Sequence, residues 1–135
     1  MQAWILIVQA LHVLPAVFWA GTTFALARTG GAEAERLVPA QVGALIITIL
    51  AGMGLWRLTH PAGFDLTEQV LAAGAGCAVL AALIQISLAL PAARSLKTAS
   101  PTAAPIFRRK VANAERLASL LLAVTIICMV ATRYV

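Results

Sequence analysis

Residues 11–21 read Leu-His-Val-Leu-Pro-Ala-Val-Phe-Trp-Ala-Gly and lie in the middle of an apolar run from about residue 2 to residue 27. A helix needs roughly 20 apolar residues to cross a bilayer, so this run predicts a transmembrane helix. The run contains His12, and an unpaired polar group in hydrocarbon costs several kcal/mol. Polar residues at membrane depth are therefore candidates for function, and the partner of His12 has to be identified.

The composition extends this prediction to the whole chain. Of the 135 residues 61% are hydrophobic and 11% are charged, against about 25% charged in a typical soluble domain. The charged residues gather in three short links between apolar runs, which is typical of a polytopic membrane protein. We therefore predict an all-α, single-domain bundle of four transmembrane helices covering residues 1–135. The predicted spans are residues 2–27, 37–58, 67–91 and 110–134, and Asp65 or Thr67 should cap the start of the third.

The basic residues predict the orientation of this bundle. Eight of them lie in the first and third links and the adjoining helix ends: Arg28, Arg36, Arg94, Lys97, Arg108, Arg109, Lys110 and Arg116. Only Arg57 and Arg133 lie on the opposite side. Because cytoplasmic loops carry the excess of Lys and Arg, both termini should lie on the non-cytoplasmic side, with the protein in a bacterial inner membrane. The net charge of +5 therefore reflects basic residues that flank the spans and contact anionic lipid, and it does not indicate nucleic-acid binding.

The remaining buried polar residues indicate how the helices associate. The fourth span leaves the headgroup zone only after Arg116, so we expect no Asp or Glu inside any span, which argues against a proton-driven transporter of the carboxylate type. Glycine and alanine faces favour close helix contact, and we expect self-association or assembly into a larger membrane complex. Four polar side chains should form hydrogen bonds between helices: Gln9, Gln41, Thr48 and Gln85.

Estimates of depth place soft ligands near His12. At about 1.5 Å per residue, His12 lies roughly 12 Å below the outer surface. Four sulfur residues lie at a similar or slightly shallower level: Met53, Cys77, Cys128 and Met129. Imidazole, thiol and thioether groups suit Cu(I), and His and Met are also axial ligands of haem. Alternatively the sulfur residues only fill the core, and His12 forms a hydrogen bond with Gln9 of a second copy or with a freed backbone carbonyl.

The second histidine, His60, lies in the predicted turn at the outer side. It is either a solvated turn residue or, with Asp65 and Glu68, part of a site through which a cation enters. It lies about 10 Å above His12 by the same helical rise. Two axial haem ligands must approach one iron at one level, so the two histidines of one chain are a poor pair.

The pattern formed by Leu11-His12, Trp19 and Gly21 is Leu-His, six residues, Trp, one residue, Gly. It resembles the first helix of the CopD-like (copper-resistance D) membrane proteins and, more distantly, of the HemJ-type protoporphyrinogen oxidases. The resemblance covers about the first 30 residues. It implies that His12 is a haem or copper ligand, and that Trp19 and Gly21 pack on the same helix. The intramembrane lysine of the HemJ type has no counterpart here.

These patterns support three hypotheses of function. The first is a bacterial inner-membrane protein in which His12, with Met53 as a second ligand, binds haem b or copper for electron transfer or metal handling. For copper the ligand set extends to Cys77, Cys128 and Met129. The second is an accessory or assembly subunit of a larger membrane complex, with no cofactor. The third is an enzyme that oxidises a porphyrin, as the HemJ type does.

Overall fold

A computed structural model describes residues 1–60 and 63–135, and within these ranges the chain is helical with no strand. The first two helices are long and continuous, and the third span contains a π-helical segment between two α-helices. The elements are α1 (Gln2–Arg28), α2 (Ala34–Thr59), α3 (Leu66–Ile84), the π-helical segment (Gln85–Ala89), α4 (Leu90–Leu96) and α5 (Ala104–Ala131).

Four helical stretches are long and apolar enough to cross a membrane. They are Gln2–Arg28, Ala34–Thr59, Leu66–Leu96 and Ala104–Ala131. This confirms the predicted all-α architecture with four candidate spans. The last helix begins at Ala104, ahead of the predicted start near residue 110, because Pro105 is accommodated in its first turn. Which terminus faces which side of the membrane stays a prediction.

Local sequence explains where α3 begins. The Asp65 side chain accepts hydrogen bonds from the backbone N–H groups of Thr67 (2.9 Å) and Glu68 (3.4 Å). The Glu68 carboxylate in turn accepts from the backbone N–H of Asp65 at 3.2 Å. This reciprocal capping box satisfies donors that a helix start leaves unpaired. The sequence predicted Asp65 or Thr67 as the cap, and the structure selects Asp65.

The link between α1 and α2 depends on two glycines. Gly30 and Gly31 adopt positive φ angles of 68° and 84°, which only glycine adopts readily. A Cβ at Gly31 would lie 2.5 Å from the carbonyl oxygen of Arg108, so the link packs directly on the backbone of α5. We call this end of the bundle, with residues 29–33 and 97–103, the basic end.

The buried core lies in the half of the bundle toward the basic end. Helix α1 packs mainly on α2, α3 mainly on α5, and α1 also contacts α5, whereas α2 and α3 scarcely touch. Along α1 the buried residues are Trp19, Thr23 and Leu26, all in its second half. Two apolar clusters fill this half, one around Leu26, Val38 and Val111 and one around Trp19, Leu45 and Leu122. The half that holds His12 is open by comparison.

Candidate functional site

The imidazole of His12 bridges α1 and α2. Its Nδ1 lies 2.8 Å from the backbone carbonyl oxygen of Thr48. A carbonyl only accepts, so Nδ1 carries the proton and donates it. The sequence left two kinds of partner open for His12, and the structure identifies a backbone carbonyl as one partner. In the neutral ring Nε2 then keeps its lone pair and is the nitrogen available for ligation.

Gly52 makes room for this ring on α2. A Cβ at Gly52 would lie 2.9 Å from Cε1 and 3.2 Å from Nδ1 of His12. Contacts this short are tighter than packed atoms tolerate, so any side chain here would displace the imidazole. The close helix contact expected of small residues is thus present, and it serves to seat the histidine. The ring is half-buried and the open half of the bundle surrounds it.

The four predicted sulfur ligands come from α2, α3 and α5 and differ in exposure. Met53 follows Gly52 in α2, and 59% of it is exposed on the single chain. Cys128 faces α3, where its Cβ lies 2.8 Å from the position of a Cβ on Gly74. Cys77 and Met129 are half-buried, and both cysteines are free thiols. Among the described residues no three His, Cys, Asp or Glu side chains converge on one point that suits a metal ion.

A second polar site lies in the core toward the basic end. We call it the Glu115 cluster, and its five side chains come from α1, α2, the π-helical segment and α5. Oε2 of Glu115 accepts hydrogen bonds from the amides of Gln85 (2.8 Å) and Gln41 (3.1 Å). The same two amides donate to the hydroxyl of Thr23 at 2.9 and 2.7 Å. Trp19 Nε1 donates to Gln85 Oε1 at 2.6 Å.

The burial of this cluster is complete. Thr23, Gln41, Gln85 and Glu115 have no exposed surface, and Trp19 is only 2% exposed. The predicted hydrogen bonds between helices are confirmed for Gln41 and Gln85. The prediction was wrong for Thr48, whose hydroxyl donates to the Ala44 carbonyl of its own helix. Gln9, the fourth residue of that prediction, is exposed on the single chain.

The expectation that no Asp or Glu lies inside a span was wrong for Glu115. Glu115 lies about 16 Å along α5 from Ala104, inside the candidate span Ala104–Ala131, and its side chain is fully buried in the bundle. A signal in the sequence could have found it: Glu115 shares a helix face with Val111, Ala118 and Leu122, all buried. Arg116, the neighbouring charge that suggested a headgroup position, points to the exposed side.

His60 belongs to a third polar group at the other end of the bundle. Its Nδ1 is 2.7 Å from the hydroxyl of Thr59, and its ring lies 5.6 Å from that of Trp56 between centroids. Nε2 approaches the Glu68 carboxylate at 4.0 Å. The predicted proximity to Glu68 is thus present, but the contact is long and the carboxylate serves chiefly in the cap of α3.

Comparisons of this chain with family models, with curated proteins and with solved structures find no match.

Proposed function

We propose that this chain is a multi-pass membrane protein that binds a prosthetic group, haem b or copper, through Nε2 of His12. One observation carries the proposal: Nδ1 donates to the Thr48 carbonyl at 2.8 Å. Histidines that ligate metals are held in this way, with the second ring nitrogen donating to a carbonyl or carboxylate that fixes the tautomer and the ring orientation. The bound group would supply one-electron redox chemistry, and the chain would supply its ligand and its apolar surroundings.

The surroundings of His12 favour haem over copper. Cu(I) prefers several soft ligands, whereas Cys128 packs against Gly74 at the contact of α3 and α5 and Met53 is mostly exposed on the single chain. A haem needs an axial nitrogen and an apolar wall. Leu11 and Leu50, close in sequence to His12 and Thr48, expose 51% and 62% of their surface on the single chain. Met53 or His12 of a second copy would complete the iron coordination.

The proposal is tested by the absorption spectrum and metal content of the purified protein. We expect a Soret band, or bound copper, in the wild type and its loss in His12→Asn. The asparagine side chain still offers a donor to the Thr48 carbonyl, so the variant removes the ligand while keeping the hydrogen bond. His60→Asn is the matched control and should keep the wild-type spectrum. Purified wild type without colour and without copper would refute the proposal.

The second candidate is a cofactor-free subunit of a larger membrane complex. It is favoured by the first half of α1, where no residue ahead of Trp19 is buried, so one apolar helix face is free to meet lipid or another protein. In this case a stoichiometric larger partner should co-purify in mild detergent, and His12→Asn should change neither colour nor metal content. Isolation of a chain that carries haem and no partner would count against it.

We infer that the basic end faces the cytoplasm of a bacterial cell. Eight basic residues lie at this end and two at the opposite end, and cytoplasmic loops carry the excess of Lys and Arg.

A further inference from the structure

The Glu115 cluster contains more hydrogen-bond acceptors than donors. The two amide groups of Gln41 and Gln85 each use both of their N–H donors, and Trp19 uses its single one. The Thr23 hydroxyl donates to the Trp19 carbonyl at 2.8 Å. Every side-chain donor in the cluster is therefore engaged. Two buried acceptor oxygens of the cluster have no partner among the described residues: Oε1 of Glu115 and Oε1 of Gln41.

We propose that Glu115 is a proton-binding site within the bundle, its carboxyl held as a neutral acid whose O–H donates toward Gln41. A proton on Oε1 of Glu115 turns this unpaired acceptor into a donor. The resulting O–H then supplies a hydrogen bond to Oε1 of Gln41, which otherwise has no partner. A buried acceptor without a partner costs about 1–3 kcal/mol, and an unpaired buried charge costs more. A neutral acid removes both costs at once.

A metal cation fits the same oxygens less well. Calcium takes six to eight oxygen ligands and magnesium six, whereas the cluster has two oxygens without a partner. The other oxygen of the carboxylate already accepts from two amides, whose N–H groups repel a cation. A proton needs only one oxygen to hold it and one to receive its hydrogen bond. Between a metal cation and a proton, the count of donors and acceptors therefore favours the proton.

No charged side chain balances an ionised Glu115. The amides of Gln41 and Gln85 donate hydrogen bonds to its carboxyl, the Thr23 hydroxyl lies beside them, and none of these groups titrates. The ion pairs among the described residues are Arg36–Glu33 and His60–Glu68, both elsewhere. Arg57 on α2 and Glu68 on α3 lie at the opposite end of the bundle. The other charged residues on the elements packed around the cluster lie toward the basic end: Arg28 on α1, Glu35 and Arg36 on α2, Arg94 on α4, and Arg108, Arg109, Lys110 and Arg116 on α5.

The position of the cluster makes proton binding consequential for the whole bundle. Its hydrogen bonds join α1, α2, the π-helical segment and α5, so it ties together all four spans. Single π-helical turns are frequent at functional sites, and here that turn begins at Gln85, one of the two amides on Glu115. When the proton leaves to water, Gln41 loses its donor and the cluster holds a bare charge. Loss of the proton should therefore loosen the basic half of the bundle.

The test is a pH titration of the side-chain carboxyls by carbon-13 NMR, on the full chain labelled at glutamate in detergent micelles. The chain has four glutamates, at positions 33, 35, 68 and 115, and Glu115→Gln assigns the fourth signal. Glu33, whose side chain is 63% exposed, is the internal reference. We expect the Glu115 carbon to stay at the protonated chemical shift at a pH where the Glu33 carbon has moved fully to the ionised one.

Three results would overturn the proposal. The Glu115 signal could titrate together with that of Glu33, or it could stay at the ionised shift throughout. The third is a change in the Glu115 signal at fixed pH when choline chloride is replaced by sodium chloride, which would indicate a metal cation. If Glu115→Gln fails to fold, the three single Gln variants at the other positions assign the Glu115 signal by elimination.

Thermal unfolding gives a second readout, because a proton bound more tightly by the folded state stabilises it at low pH and is lost as the pH rises. The melting temperature of the wild type should fall as the pH is raised through the titration of Glu115. Glu115→Gln, whose amide supplies a permanent donor, should show no such fall, and the control Glu33→Gln, at an exposed carboxylate, should behave as the wild type. An equal fall in all three proteins would contradict the proposal.

Discussion

At the scale of single residues, two polar side chains inside the bundle are held in different ways. His12 has one ring nitrogen fixed by a backbone carbonyl at 2.8 Å and lies half-buried in the open part of the bundle. Glu115 has no exposed surface and accepts two amide hydrogen bonds on one of its oxygens. The first arrangement leaves a lone pair available to a ligand. The second leaves acceptors that only an added donor satisfies.

Gly52→Ala is expected to displace the imidazole of His12 while leaving the histidine itself in place. The new methyl group would lie 2.9 Å from Cε1 and 3.2 Å from Nδ1, so the ring must move and its hydrogen bond to Thr48 lengthens or breaks. Overpacking of this kind costs typically 1–3 kcal/mol. We expect a loss of stability of about that size, measured by chemical unfolding in detergent, together with reduced occupancy of any bound haem or copper.

The control for this prediction is Gly43→Ala on the same helix, where a new Cβ meets nothing within 4 Å. Because alanine is the better helix former, this change should be neutral or slightly stabilising. Equal effects of the two substitutions would show that the contact with His12 is not the cause.

At the scale of elements, the third span shows how a helix is adjusted to present a polar group. It begins at the capping box of Asp65 and Glu68, and it is interrupted by the π-helical segment Gln85–Ala89 before α4 begins at Leu90. A π-helical turn inserts one extra residue and shifts the facing of the residues beyond it. The segment carries Gln85 into the core, where its amide contacts Thr23 and Glu115.

The cap of α3 should make stability depend on acid. The pKa of Asp65 lies below its ordinary value of 3.8, first because of a side-chain hydrogen bond with Glu68, then because of backbone N–H donors, with His60 adding a favourable charge. A carboxylate with a lowered pKa stabilises the fold above its unfolded pKa, and this stability is lost as the pH falls through the folded pKa. The melting temperature should therefore fall below about pH 4.

Two variants separate the cap from the other carboxyls. Asp65→Asn keeps an oxygen that accepts from Thr67 and Glu68 but cannot titrate, so its melting temperature should fall less in acid than that of the wild type. Asp65→Ala removes the acceptor and should lower the melting temperature by a few degrees already at neutral pH. An unchanged acid dependence in Asp65→Asn would assign the effect to other groups.

At the scale of the whole molecule, the bundle has a packed half and an open half. The glycine link against Arg108, both apolar clusters and the Glu115 cluster lie toward the basic end. The first half of α1, with His12, contributes no fully buried residue. A packed half anchors the helices, and an open half leaves room for lipid, a prosthetic group or a second copy.

The orientation of the bundle is testable by labelling with a membrane-impermeant maleimide. After Cys77→Ala and Cys128→Ala remove the native thiols, Thr98→Cys places a thiol in the link at the basic end, and Thr132→Cys places one just after α5. We expect labelling of intact cells only at position 132, and of inverted membrane vesicles only at position 98. The opposite pattern would reverse the predicted sidedness.

The sequence by itself determined that the chain forms four helices long and apolar enough to span a membrane, that His12 needs a partner, and that Asp65 or Thr67 caps the third span. These features depend on residues close together in the chain, through hydropathy, capping chemistry and the cost of a polar group in hydrocarbon. Only the tertiary structure decided that Thr48 is a partner of His12 and that Glu115 meets Gln41 and Gln85. Hydropathy measures how apolar a segment is, but it does not say which helix faces which, and the partner of a buried polar group is chosen by helix packing.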